Sequence, residues 1–172
     1  MAKAGLPSVL EPVGLCSDSA RRPDGLTLPH WSVGKSLVWD ATVACTVASS
    51  YVRHSAHEMG WVAEHADSEK ILKYQELQTR FHVVPVAFET LGPVSQGTAR
   101  FIKELSKRMT AITGDTRESV FLRQQLSLAV QRGHVASIIG AISCYLVYYC
   151  DSCIIVARIL TQILPTLLYR SV

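Results

Sequence analysis

Two aspartates stand where metal chemistry would need them. Asp24 follows Pro23 at the mouth of one apolar segment, and Asp40 lies inside the next, Leu37-Val38-Trp39-Asp40-Ala41-Thr42. Ser32 falls midway between them, beside a turn signal in Ser32-Val33-Gly34. A hairpin folded there sets the two carboxylates near each other across antiparallel strands. Like charges so placed repel unless a cation sits between them. A hard divalent ion such as Mg²⁺ suits such a pair, with water and substrate phosphate completing its shell. The same residues also fit a plainer arrangement, in which Asp24 serves a Pro-Asp-Gly turn and Asp40 faces solvent. Two lysines add a third group. Lys70 and Lys73 lie on the apolar side of a helical pattern, where a cation would stabilise charge developing on a scissile phosphate. A lysine in that position also commonly snorkels to the edge of the apolar face.

The elements that must hold these residues follow from periodicity. Residues 1–22 are punctuated by Gly5, Pro7, Pro12 and Gly14 and read as an extended lead-in. Residues 26–31 and 36–43 are rich in Leu, Val, Trp and Thr and read as the two strands of the hairpin. Residues 57–78 predict one long amphipathic helix, with Met59, Val62, Ala63, Ala66, Tyr74 and Leu77 on one face and Glu64, Asp67, Ser68 and Gln75 elsewhere. Residues 81–89 predict a strand, and Pro85 inside it points to an edge or a bulge. A helix over 98–113 follows, capped by Gly114, and another over about 118–132 stops at Gly133. The order hairpin, helix, strand, helix, helix is a mixed α/β pattern.

The chain has 172 residues, enough for a domain with a real core, and 48% of them are hydrophobic. A net charge of +3 permits nucleic acid or an acidic membrane as partner without requiring either. Five cysteines in irregular spacing, after an opening stretch with no apolar run, argue against a disulfide framework and for a reducing compartment. Cys150 and Cys153 lack the further ligands that a zinc site requires. The six histidines show no ligand spacing beyond His54 and His57 and read as surface or satisfied residues. From Val135 the composition changes, and residues 135–150 carry no charge. Residues 135–168 read as a mostly helical apolar tail outside the core. Asp151 and Arg158 count against a membrane span, so membrane contact through this segment is the less favoured reading.

A series of short motifs runs through the first part of the chain in order. They are Arg21-Arg22-Pro23-Asp24-Gly25, Val38-Trp39-Asp40-Ala41-Thr42, Lys73-Tyr74, Val84-Pro85-Val86-Ala87-Phe88-Glu89-Thr90-Leu91-Gly92 and Val130-Gln131-Arg132-Gly133. Over residues 7–141 this series resembles the restriction-like endonuclease domain, of the PD-(D/E)xK superfamily, at the C-terminus of non-long-terminal-repeat retrotransposon polyproteins. The resemblance implies a restriction-endonuclease-like core over 20–134, truncated at its N-terminus, after a lead-in of 1–19 and before an apolar tail of 135–172. It makes Asp24 and Asp40 the metal-binding acids. Thr42 stands where the superfamily often has its lysine, and the resemblance assigns that role to Lys73, with Lys70 in reserve. It further implies Mg²⁺ or Mn²⁺, nicking of double-stranded DNA to prime reverse transcription, and the element's reverse transcriptase and RNA as partners in the nucleus. A first strand without its usual preceding helix implies a weak or inactive remnant. Arg21, Arg22, Arg100, Lys103, Lys107 and Arg108 are candidate DNA contacts, though the last four also fit an ordinary solvated helix face. A non-catalytic nucleic-acid-binding fragment and a small membrane-associated protein are the alternatives.

Overall fold

A computed structural model describes residues 4–17 and 21–143. Among these residues, four strands form one sheet in the order β1-β2-β3-β4, and helices flank it on both faces. The strands are β1, Ser8–Leu10; β2, Gly25–Ser32; β3, Lys35–Ala44; and β4, His82–Glu89. The helices are α1, Val52–Ser55; α2, Trp61–Lys73; α3, Gln96–Thr113; and α4, Glu118–Ser143, with a short 3-10 helix at Gln75–Thr79 after α2. This is the mixed α/β arrangement that the periodicity predicts.

The hairpin β2–β3 turns at Val33 and Gly34, both with positive φ, 49° and 70°. Two such residues give a tight turn whose twist matches the flanking strands. The turn therefore lies just past Ser32. Register shifts between Leu26 and Ser32 absorb the difference, so Gly25 pairs with Trp39 and Leu26 with Val38. Asp24, next in line, reaches the level of Asp40. β1 belongs to the sheet rather than to a free lead-in: Leu10 pairs with Gly25, and Glu11 N–H donates to Asp24 O at 2.9 Å.

β4 runs parallel to β3, from Leu37 opposite His82 to Ala44 opposite Glu89, so a crossover must join them. That crossover carries α1 and α2. β4 is an edge strand, which accommodates Pro85. Its outer side is occupied by the segment leading into α3. Thr98 Oγ1 accepts from Ala87 N–H at 2.8 Å, Ser95 N–H donates to Ala87 O at 3.2 Å, and Glu89 N–H donates to Pro93 O at 2.8 Å.

Alternation along β3 sorts the two faces. Leu37, Trp39 and Val43 pack with Phe101, Leu105 and Met109 of α3 and with Leu122 and Leu126 of α4. Val38 packs on the opposite face with Tyr74 and Leu77. Asp40 shares the side of Val38, the side covered by the end of α2.

Three expectations need correction. The helix expected over 57–78 is broken at both ends, because Gly60 adopts φ 87° and the chain after Tyr74 tightens into the 3-10 helix. Met59, outside α2, is 86% exposed and belongs to no apolar stripe. The break lets His54 stack on Trp61 at 4.2 Å, with His65 on Trp61 at 5.0 Å. The last helix runs through Gly133 to Ser143, since an interior glycine costs only about 1 kcal/mol and no proline or cap intervenes. The composition break after His134 therefore marks no break in the backbone, and residues 144–172 of the expected tail lie outside the described residues. Among the described residues no helix is long and apolar enough to cross a membrane.

Candidate functional site

Gly25 is the hinge on which the site is built. A Cβ placed there would lie 2.0 Å from Cζ2 of Trp39, so only glycine lets the indole cross this position. The tryptophan is fully buried. Its ring fixes the start of β2, and with it the neighbouring Asp24. Asp24 Oδ2 accepts from Ala41 N–H at 2.7 Å, across the strand from its own backbone. Asp24 Oδ1 has no hydrogen-bond partner among the described residues.

Asp40 is 4% exposed and held on both oxygens. Its Oδ2 pairs with Lys70 Nζ, and its Oδ1 accepts from Tyr74 O–H at 2.9 Å. Lys70 and Tyr74 stand four residues apart at the end of α2 and so share one helix face. The Tyr74 hydroxyl also lies 3.1 Å from Arg22 O, which links the helix to the residues just before Asp24. Burial, followed by the charge of Asp40, pushes this phenol well above its usual range. It therefore remains a hydrogen-bond donor at ordinary pH.

The Asp24 carboxyl is pushed up from 3.8 to about 6, first by burial and then by the charge of Asp40. Ala41 N–H and the Lys70 ammonium oppose the shift, and Glu11 adds to it. Because the folded value lies above the unfolded one, the folded state binds the extra proton between them. Stability contributed by this group is thus present at low pH and is lost as pH rises toward 6. Asp24→Asn can keep the bond to Ala41 N–H without the charge. In metal-free buffer it should be more stable to urea than the unaltered chain at pH 7, and the difference should shrink as pH falls from 6 toward 3.8. A difference that is constant with pH would show that Asp24 ionises normally.

The structure separates the two lysines. Lys73, expected as the principal cation, does not reach Asp40. It is exposed, its ammonium lies 4.8 Å from the centre of the Tyr74 ring, and its carbonyl accepts from Arg21 Nη1 at 3.3 Å. The reason is rotational: Tyr74 takes the inward direction, and its immediate neighbour must point away, whereas Lys70, one turn earlier, follows Tyr74 inward. Arg21 thus lies beside the site, while Arg22 is engaged by Glu11 at 2.5 Å.

The basic residues of α3 are placed elsewhere, since α3 packs on the opposite face of the sheet. Arg108 stacks 4.1 Å over Trp31 and donates to Trp31 O at 2.7 Å, and Lys107 lies 3.9 Å from Glu104. Arg100 acts on the Asp67 carboxyl, and Lys103 is exposed. None of the four lines the carboxylates. A cavity of about 270 Å³, lined by Phe88, Val94, Ile102, Leu126 and Val130, also opens on that other side.

Sequence reasoning missed the acids that seat α2. Glu89, 1% exposed, accepts from Val62 N–H at 3.0 Å and Ala63 N–H at 3.2 Å, capping a helix whose preceding residue, Gly60, has no side chain to do so. Its only sequence signal was an acid at the end of an apolar strand. Glu64 and Asp67 were expected to point away from the packed face, yet Glu64 accepts from Gln96 N–H at 2.6 Å. A Cβ on Gly97 would meet Asp67 at 2.7 Å. Both acids lie against the start of α3.

Asp24 and Asp40 offer an all-oxygen donor set, with one oxygen of Asp24 unused among the described residues. That suits an ion such as Mg²⁺, which takes one or two carboxylates and keeps its waters. No cluster of three or more His, Cys, Asp or Glu that would enclose a metal occurs among the described residues. Compared with protein-family models, with curated proteins and with solved structures, the chain finds no match in any of the three.

Proposed function

We propose that this chain carries a divalent-metal-dependent DNA endonuclease core of the PD-(D/E)xK kind, which nicks double-stranded DNA so that the freed 3′ end primes reverse transcription. The observation that carries this reading is the convergence of Asp24, just before β2, and Lys70, on α2, upon Asp40 of β3. Asp24 and Asp40 would hold Mg²⁺ or Mn²⁺, which supplies activated water and charge neutralisation at a phosphate. Lys70 brings a positive charge to the phosphoryl oxygens, and Tyr74 keeps Asp40 in place. Arg21 and Lys73, at the rim, are suited to contacts with the phosphate backbone, which position DNA without reading its sequence. The reverse transcriptase and RNA of the element are the proposed partners, and the nucleus the proposed place of action. The chain is proposed to nick weakly, because β2, which Asp24 precedes, is braced on its outer side by just the three described residues of β1.

A comparison of the two lysines tests this reading. With supercoiled plasmid and Mn²⁺, Lys70→Ala should lower the nicking rate by about 100-fold, the loss expected for one group that stabilises transition-state charge. Lys73→Ala should stay within about threefold, the size of a single exposed phosphate contact under moderate salt. Equal losses, or a greater loss at Lys73, would return the catalytic role to Lys73.

A further inference from the structure

The Asp40 carboxylate is buried, and its two oxygens are held by very different groups. Tyr74, on Oδ1, is fully enclosed and cannot leave. Lys70, on Oδ2, has a side chain 24% exposed and a flexible stem at the end of α2. A buried carboxylate needs a compensating positive charge, and here an ammonium provides it. With Oδ1 engaged by Tyr74, Oδ2 is the oxygen left for a metal shared by Asp24 and Asp40, and Lys70 occupies it; a divalent ion beside an ammonium meets strong repulsion.

We propose that Lys70 is the site's internal counter-cation, which competes with the metal for Asp40 and moves onto the DNA phosphate when the metal enters. The inference rests on the metal-dependent reading above and adds a coupling to it. Without DNA, Lys70 opposes metal binding. With DNA, the displaced ammonium gains a phosphate, so metal and DNA each strengthen the binding of the other by the same factor. Arg21 and Lys73 at the same rim would draw that phosphate into reach.

The test is calorimetric titration of Mn²⁺ into the metal-free chain, with and without a short DNA duplex. Lys70→Met and Lys70→Gln remove the charge, the second while retaining a hydrogen-bond donor for Asp40. Asp40→Asn serves as the site control, and circular dichroism establishes that each variant is folded. The unaltered chain should bind Mn²⁺ weakly alone and about tenfold more tightly with the duplex, within the usual range of coupling between two sites. The folded Lys70 variants should bind Mn²⁺ alone about tenfold more tightly than the unaltered chain and lose most of the gain from DNA. A purely catalytic or structural lysine would not tighten metal binding when removed. If the Lys70 variants bind Mn²⁺ no better than the unaltered chain, while Asp40→Asn abolishes binding, the competition is refuted and the metal site stands. If neither the unaltered chain nor the Lys70 variants bind Mn²⁺, the metal-dependent reading fails together with the inference.

Discussion

Asp40→Asn should leave supercoiled plasmid uncut in Mg²⁺ or Mn²⁺ under conditions where the unaltered chain nicks it. Asparagine matches the shape of aspartate and can still accept from Tyr74 O–H, so the fold should be retained. On the proposed reading it could not supply the negative charge that would hold a divalent ion beside Asp24, and its amide would present donors to an ammonium that is itself only a donor. Loss of the proposed metal would remove several kcal/mol of transition-state stabilisation, and about 3–4 kcal/mol corresponds to two to three powers of ten in rate. On the same reading weak DNA binding should persist and decline steeply with salt, because it would depend on exposed cations and not on the carboxylates. Nicking that survives in a folded Asp40→Asn chain would place the chemistry on other residues.

The second large effect is expected at a residue with no side chain. Gly25→Ala puts a methyl group 2.0 Å from Cζ2 and 2.4 Å from Cε2 and Cη2 of Trp39. The obstacle is a rigid ring with no solvent exposure, packed in the larger core cluster, so it has nowhere to retreat. Overpacking of this kind costs about 3 kcal/mol, a large share of a small domain's total stability. Urea denaturation should show that loss, and Mn²⁺ binding should weaken in whatever fraction stays folded, because Asp24 is the adjacent residue. A Gly25→Ala chain as stable as the unaltered one would mean that Trp39 does not lie over β2 as described. The glycine in Pro23-Asp24-Gly25 is therefore explained by packing across the hairpin rather than by a turn.

The hairpin was legible in the sequence because Leu37, Trp39 and Val43 alternate with residues of the other face, and a two-residue turn leaves few ways to pair the strands. Pro85 announced an edge and Gly114 a helix end for similarly local reasons. The missed features depend on distant partners. β1 is three residues long, too short for a period to show, and it exists only because β2 offers a backbone to pair with. The break before α2 follows from the φ of Gly60 and from a stack of His54, Trp61 and His65 that no helical pattern encodes. Lys70 and Lys73 are close to equivalent on a helical wheel. Their separation is decided by the burial of Tyr74, which fixes the rotation of α2 against β3. Glu89 looks like a surface acid until α2 is set down with its amides over it.

The treatment of the sheet's margins bears on how the chain behaves in company. A strand with a bare outer side offers its N–H and C=O groups as a template for strands of other molecules, the usual start of aggregation. β4 is the longer of the two outer strands and would be the more exposed to this. The proline at 85 has no N–H to offer, and the outward groups of Ala87 and Glu89 are already taken by Thr98, Ser95 and Pro93. The opposite margin is β1, whose three residues give an incoming strand little length to grip. Among the described residues, the sheet that presents Asp40 from its interior is thus covered along the second half of its longer outer strand and cut short on the other. Its apolar strands can lie beside a charged site without recruiting copies of themselves edge to edge.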